Sequence, residues 1–234
     1  MTESEVEGVP NSFTTPTQKI AESSRRNVYL YKEPQAVLKT RKPELSNRFN
    51  SAQEAVQKIE EEQTDKKEVL RVLDKVGLNS ETIPPASFVI HDGIQGGREY
   101  SEVQRSINNG VTLRQDKLKI FSLKDEELRN LQKIFKANIQ MWRKNNNVID
   151  ILGSPSSSPG TAVKFIRRLL PIFYSENIMV DGEGKVHFVD TGVLTKHTAG
   201  RVFNIARNLE VVGSIFSLGI ISGILALRKA RVLQ

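Results

Sequence analysis

The sequence predicts an α-dominated α+β protein with a disordered N-terminal arm, a coiled-coil-like helix and a small helical C-terminal domain holding one β-hairpin. Three observations support this fold class. Residues 1–42 are polar and lack periodicity, residues 43–78 carry a heptad pattern, and residues 211–227 are seventeen consecutive uncharged positions. The chain has 234 residues and an apolar fraction of 38%, which is low for a globular domain. We therefore expect a folded part and a polar part with little packing.

Charge and cysteine content limit the partners and the compartment. The net charge is +7 and the pI is about 9.6, which favours nucleic acid, an anionic membrane or acidic proteins as partners. The chain has no Cys and three scattered His, which excludes disulfides and thiolate metal sites. We expect no cofactor and no metal. The acidic start does not resemble a secretory signal, so we expect an intracellular, cytoplasmic protein that can also associate with membrane.

The arm, residues 1–42, is rich in Ser, Thr, Glu, Lys and Pro and cannot bury enough apolar surface to fold alone. Its one apolar patch, residues 27–40, predicts a short strand or a docking segment for another protein. Basic clusters in the arm, and a further cluster near residue 167, suit phosphate groups of lipid or nucleic acid. The alternative is a solvated surface. The candidate polyanion-binding residues are Arg25, Arg26, Lys39, Arg41, Lys42, Lys164, Arg167 and Arg168.

Residues 43–78 predict an oligomerising helix, since Pro43 suits a first helical turn and Gly77 suits a helix end. Apolar residues recur at alternating spacings of four and three, the pattern of a coiled coil between chains. Gln63 and Lys66 interrupt it. The alternative is two helices within one chain, the second capped by Asp65. The candidate oligomerisation residues are Leu45, Phe49, Ala52, Val56, Ile59, Leu70 and Leu73.

Residues 79–121 predict an irregular connector with one strand at 87–90, and residues 122–208 a globular α+β domain. In that domain, Ser122 and Asp125 predict a capped helix whose apolar stripe, from Leu128 to Trp142, forms the core. A third helix starts after Thr161, and Pro171 kinks or ends it. Two β-rich runs around residues 181–184 predict the hairpin.

Residues 209–234 predict an apolar C-terminal helix. Gly213, Gly219 and Gly223 are spaced so that two membrane helices can approach closely, and they weaken a helix in water. We weigh three environments for this helix: a membrane-inserted segment, a core helix of the globular domain and a helix lying in the plane of a membrane surface.

The tripeptide Asp190-Thr191-Gly192 resembles the active-site motif of retroviral-type aspartic proteases, which need a second carboxylate from a dimer partner. Residues 177–192 also resemble the metal-binding hairpin of kinases. This resemblance implies that Asn177 and Asp190 are metal ligands. However, Ile172 occupies the position of the kinase catalytic Asp, five residues before the Asn. We find neither a Val-Ala-Ile-Lys-type strand nor a glycine loop. We therefore expect no catalytic residues.

The sequence-based hypothesis is a non-enzymatic, self-associating scaffold that engages a membrane or another polyanion. Its modular plan resembles that of viral assembly proteins such as phosphoproteins and matrix proteins. One alternative is a nucleic-acid-binding structural protein whose C-terminal helix lies in the core. A further alternative is a degenerate kinase-like or aspartic-protease-like enzyme.

Overall fold

The structure, a computed structural model, describes residues 18–22, 26–30, 36–41, 49, 51–78, 80–92, 98–153, 161–190, 192–194 and 201–232. These residues form two compact units. Unit 1 comprises the residues up to Gln63 and Pro85–Ser106, and unit 2 comprises Thr64–Pro84 and Ile107–Gln234. The described strands form sheets of five, three and two strands. The predicted helix-dominated fold with a single hairpin is therefore wrong, because this is a mixed α+β fold with a sizeable sheet.

Unit 1 is built on a five-stranded antiparallel sheet in the order β1-β2-β3-β5-β4. Its strands are β1 (Lys19–Glu22), β2 (Arg26–Leu30), β3 (Ala36–Arg41), β4 (Ala86–Asp92) and β5 (Arg98–Arg105). The first three strands come from the segment that we expected to be a disordered arm. β4 and β5 come from the expected irregular connector. Pairing with neighbouring strands satisfies the backbone hydrogen-bonding groups of these segments. Their low apolar content had not indicated an ordered structure.

Helix α1 (Ala52–Lys75) follows β3 and is continuous through Asp65, so the alternative of two helices in this stretch is not observed. It begins nine residues after Pro43, and residues 42–48 lie outside the described chain. Ala55 and Ile59 are buried in the part of α1 assigned to unit 1, whereas Val69, Val72 and Leu73 join the core of unit 2.

Unit 2 surrounds a hydrophobic core that includes the stripe of α3 (Asp125–Asn145), where Leu128, Leu131, Ile134 and Phe135 are fully buried. The other helices are α2 (Lys119–Ser122), α4 (Thr161–Leu169), α5 (Pro171–Tyr174) and α6 (Arg201–Val232). The short strands are β6 (Val111–Thr112), β7 (Val148–Ile149), β8 (Ile178–Val180), β9 (Val186–Phe188) and β10 (Val193–Leu194).

Several local predictions in unit 2 match the structure. β8 and β9 form the expected antiparallel hairpin, and Pro171 is the first residue of α5, where its ring separates α5 from α4. Ser122 does not cap the following helix, because it ends α2, and the residue before α3 is Lys124. The apolar C-terminal run lies inside α6, which is longer than expected because its helix extends into charged residues at both ends.

Candidate functional site

The polar residues around Asp190 are brought together by the pairing of β7 with β10. Ile149 lies opposite Val193 in this antiparallel pair, and the next residue, Asp150, donates its backbone N–H to the Gly192 carbonyl at 2.8 Å. Asp190 Oδ1 and Asp150 Cβ lie 3.5 and 3.8 Å from the position that a Cβ on Gly192 would take. Two carboxylate-bearing residues forty positions apart in sequence therefore lie side by side.

The β8–β9 hairpin holds Asn177 against the same place. The Val189 N–H donates to the Asn177 carbonyl at 2.8 Å, which closes the hairpin immediately before Asp190. The Asn177 side-chain Nδ2 donates to the Asp150 carbonyl at 2.6 Å. Ser175 fixes the turn, because its Oγ accepts the N–H of Ile178 at 2.9 Å. We call Asp150, Asn177 and Asp190 the acidic site.

Two oxygen atoms of the acidic site are left open. Asn177 Oδ1 and one carboxylate oxygen of Asp190 have no hydrogen-bond or ion-pair partner in the described part of the chain. The other oxygen of Asp190 accepts the Gly192 N–H at 3.1 Å. A Cβ on Gly153, whose φ is +71°, would lie 2.6 Å from Asn177 Oδ1. Glycine at this position therefore keeps the space beside that oxygen clear.

The donor chemistry of the acidic site fits a magnesium ion. Mg²⁺ prefers oxygen ligands, binds through one or two carboxylates and keeps several ligands from water or phosphate. Asp190 and Asn177 would hold such an ion through their open oxygens. Within the described ranges there is no group of three or more His, Cys, Asp or Glu residues suited to hold a metal by themselves. This donor set therefore suits an ion that arrives with a phosphate rather than an ion enclosed by protein.

Helices α3 and α6 hold β7 in place through buried polar contacts. Asn138 of α3 is fully buried, accepts the Ile149 N–H at 2.7 Å and donates to Ser214 of α6 at 3.0 Å. Glu210 of α6 is also buried and accepts a hydrogen bond from Arg168 at 2.6 Å. Burial raises the pKa of Glu210 well above its usual range, the Asp150 carboxylate raises it further, and Arg168 opposes both.

In unit 1, two of the predicted polyanion-binding residues lie in a network of ion pairs. Arg26 lies 2.6 Å from Glu102, which is 4% exposed, and Lys39 lies 3.9 Å from the other oxygen of that carboxylate. Glu62 of α1 lies 3.9 Å from Arg26 and accepts the Tyr100 hydroxyl at 2.5 Å. We call Arg26, Lys39, Glu62, Tyr100 and Glu102 the ion-pair network. Arg26 and Lys39 thus pair with acids of the chain itself.

The remaining polyanion-binding candidates are placed as follows. Arg167 is 5% exposed and lies 3.6 Å from Glu176, and burial lowers its pKa. Arg168 pairs with Glu210. Arg25 and Lys42 lie outside the described residues, whereas only the backbones of Arg41 in β3 and Lys164 in α4 are described.

The predicted oligomerisation residues also differ in how far they are buried. Ile59 and Leu73 are buried within the chain, Val56 and Phe49 are half-buried, and Leu70 is 41% exposed. The Phe49 ring stacks on Tyr100, with centroids 5.9 Å apart. Leu45 lies outside the described residues, as does the side chain of Ala52. Association through this seam stays a prediction, as does a protein partner for the arm.

The three predicted helix-packing glycines have different surroundings. A Cβ on Gly213 would lie 1.9 Å from the Arg168 carbonyl, so this glycine permits close packing within unit 2. Gly219 and Gly223 are exposed, with nothing within 4 Å of either Cβ position. In the described residues, one helix segment, Arg207–Arg231, is long and apolar enough to cross a membrane by length and composition.

Sequence reasoning missed Asp150, because we sought a catalytic Asp only five residues before Asn177. Helices α4 and α5 lie between the two residues in sequence. The signal in the sequence was the run Val148-Ile149-Asp150. Its two β-branched residues favour a strand, and an acidic residue follows that strand directly.

Comparison with known proteins adds no assignment. A scan against protein-family models and a search of curated proteins each found no match. The geometry of the acidic site therefore carries the functional argument.

Proposed function

We propose that the protein is a kinase-like phosphotransferase that binds a nucleoside triphosphate with Mg²⁺ at the acidic site of unit 2. The observation that carries this proposal is the 2.6 Å hydrogen bond from Asn177 Nδ2 to the Asp150 carbonyl, at the base of a hairpin that leads directly to Asp190. In protein kinases the metal ligands are an Asn and the Asp after the hairpin, and an Asp of the catalytic loop accepts the proton of the substrate hydroxyl.

Each residue of the acidic site has one role in this proposal. Asn177 and Asp190 would hold the metal through their open oxygens, and a metal bound there would neutralise charge on the phosphate groups. Asp150 accepts the proton of the attacking hydroxyl. The β7–β10 pair and the Asn177 amide hold the Asp150 backbone in place, and Asp150 Oδ1 accepts the Gly153 N–H at 2.9 Å. Because phosphoryl transfer depends mainly on positioning and charge, these contacts supply much of what the reaction needs.

The order of elements in unit 1 supports the same proposal by analogy. Kinases carry a lysine on the third strand, and a glutamate on the following helix pairs with it. Here β3 carries Lys39, and the following helix, α1, carries Glu62. The chain also departs from the kinase pattern. Kinases carry a glycine-rich loop between their first two strands, whereas residues 23–25, between β1 and β2, contain no glycine.

The proposal replaces our expectation of a non-enzymatic scaffold. That expectation depended on the missing catalytic Asp, because Ile172 occupies the position five residues before Asn177. Asp150 supplies a carboxylate next to Asn177 by a longer route along the chain. Ile172 itself is buried in the core of unit 2.

Binding of Mg²⁺ with ATP to the full chain tests this function, measured by calorimetry with and without EDTA. We expect metal-dependent binding that Asp190→Asn weakens by at least about 100-fold, since even residues that only support metal ligands change metal affinity by about 10–100-fold. Asp181→Asn, the same change at the turn of the same hairpin, is the matched control and should bind like the unmodified protein. Asp150→Asn should bind ATP and lose phosphoryl transfer.

Two results would contradict the proposal. One is the absence of any metal-dependent ATP binding by the unmodified protein. The other is equal binding by Asp190→Asn and Asp181→Asn, which would show that the acidic site does not contact the metal-bound phosphates.

A further inference from the structure

Helix α6 buries polar as well as apolar residues, and it also exposes several large apolar side chains. Its inner face carries polar residues that contact α3. Ser214 accepts a hydrogen bond from Asn138, and Arg228 pairs with Asp125 at 2.9 Å. A surface helix normally buries its apolar residues and exposes its polar ones. The contacts of α6 with unit 2 combine these hydrogen bonds with apolar packing by Val211 and Ile221, while other large apolar side chains of the helix face outward.

The outward side of α6 forms one continuous uncharged stripe. At 3.6 residues per turn, its residues fall within one side of the helix over about 38 Å. Its large apolar side chains are well exposed: Ile205 64%, Val212 39%, Ile215 56%, Phe216 52% and Leu227 67%. We call this set the outer stripe: Ile205, Asn208, Val212, Ile215, Phe216, Gly219, Ser222, Gly223, Ala226, Leu227 and Ala230.

The charges that border the outer stripe are positive. Lys229 and Arg231 are exposed and, by the same helical count, lie on opposite edges of the stripe. Glu210 is the one acid in the α6 sequence, and it is 3% exposed. The net charge of the chain is +7. A long apolar stripe edged by basic side chains is complementary to an anionic lipid surface, where apolar groups enter the acyl region and Lys and Arg reach the headgroups.

We propose that the outer stripe of α6 binds the surface of an anionic lipid bilayer, with the helix lying in the membrane plane. The inner face argues against a spanning orientation. To be surrounded by lipid, α6 would have to leave α3 and expose Glu210, Ser214 and Arg228 to hydrocarbon, where unsatisfied polar groups are costly. Lying in the plane, the helix keeps every contact with α3 and buries only the outer stripe. The proposal is independent of the phosphotransferase function.

Flotation of the full chain with lipid vesicles tests this proposal. We expect the protein to float with vesicles of phosphatidylcholine mixed with phosphatidylserine and to remain in solution with phosphatidylcholine alone. Ile215→Ser with Phe216→Ser should lower the partition onto the mixed vesicles by about 100-fold, because two large apolar side chains no longer enter the lipid. Ile20→Ser with Leu30→Ser, which removes two exposed apolar side chains of unit 1, is the matched control and should float normally.

A second pair of substitutions tests the charge argument without changing the apolar stripe. Lys229→Gln with Arg231→Gln should weaken binding to the mixed vesicles by about thirtyfold, at about 1 kcal/mol per basic residue near an anionic surface. This pair also keeps the test decisive if the serine variant does not fold.

Three outcomes would overturn the proposal. The first is that the unmodified protein stays in solution with both kinds of vesicle. The second is that light scattering shows a dimer in solution that Ile215→Ser with Phe216→Ser dissociates, because the stripe then binds a second copy of the chain. The third is membrane-bound protein that resists extraction by sodium carbonate, which would indicate a spanning helix.

Discussion

The ion-pair network of unit 1 and the acidic site of unit 2 both place acidic side chains at β-strands, but they differ in how the charges are balanced. In the network, Glu102 has Arg26 at 2.6 Å and Lys39 at 3.9 Å. In the acidic site, Asp190 Oδ1 and Asp150 Cβ lie 3.5 and 3.8 Å from one point, the Cβ position of Gly192, and Asp190 has no basic partner in the described chain. Balanced charges stabilise a fold, whereas like charges held together lower its stability unless a cation binds. This difference is the reason that we propose a binding role for the acidic site and a structural role for the ion-pair network.

The largest effect is expected from removing the central acid of the network. Glu102→Ala would leave Arg26 and Lys39 without their shared carboxylate, and breaking a buried ion pair costs about 3–5 kcal/mol. Hydrogen exchange measured peptide by peptide should show faster exchange in β3 and β5. Glu54→Ala, at an exposed position of α1, is the control and should change stability by less than about 0.5 kcal/mol. Unchanged exchange in β5 would mean that the network does not stabilise unit 1.

A smaller effect is expected beside the acidic site, where glycine keeps space for the Asn177 oxygen. Gly153→Ala would place a methyl group 2.6 Å from Asn177 Oδ1 at a φ of +71°. We expect a loss of about 1–3 kcal/mol of unfolding free energy, together with weaker Mg²⁺–ATP binding. Gly184→Ala is the matched control, because its φ is +83° and no atom lies within 4 Å of its Cβ position. If both variants lose ATP affinity equally, steric exclusion at Asn177 is not the cause.

The smallest effect has the opposite sign and is the sharpest test of the comparison. In EDTA, Asp190→Asn should raise the unfolding free energy of unit 2 by about 0.5–1 kcal/mol, because it removes repulsion between two neighbouring carboxylates. Denaturation followed by the fluorescence of Trp142, the single tryptophan, measures this change. A destabilisation of more than about 1 kcal/mol would show that Asp190 stabilises the fold, and the acidic site would then resemble the ion-pair network.

The sequence predicted the parts of this fold that depend on local signals. The β8–β9 hairpin follows from β-rich runs around a glycine-containing turn, and the break between α4 and α5 follows from Pro171. In unit 1 we predicted a strand at 87–90, which lies in β4, and a short strand or docking segment in 27–40, but not the five-stranded sheet. Arg26 and Lys39 interrupt the alternation that marks a half-buried strand. Their burial becomes favourable only when Glu102, more than sixty positions away in sequence, supplies the opposite charge.

The acidic site was predicted only in part for a related reason. Asn177 and Asp190 flank one hairpin, so a short pattern identifies both. Asp150 joins them through the pairing of β7 with β10 and through the Asn177 amide, and neither contact can be inferred from a window of a few residues. The sequence also did not show which side chains of α6 face inward and which face outward. Composition shows an apolar helix, but only the structure reveals that Ser214 and Ser217 face inward.

The long sequence separations around Asp150 also have a consequence for the order of folding. The Asn138–Ser214 and Asp150–Gly192 contacts close loops of 76 and 42 residues, and contacts of this kind form slowly because loop closure costs entropy. During synthesis from the N-terminus, the support from Ser214 cannot form until α6 has left the ribosome. Competence to bind a nucleotide should therefore be acquired late, after the β8–β9 hairpin and α3 are already present. In a refolding experiment, recovery of ligand binding would then report completion of unit 2 rather than its first collapse.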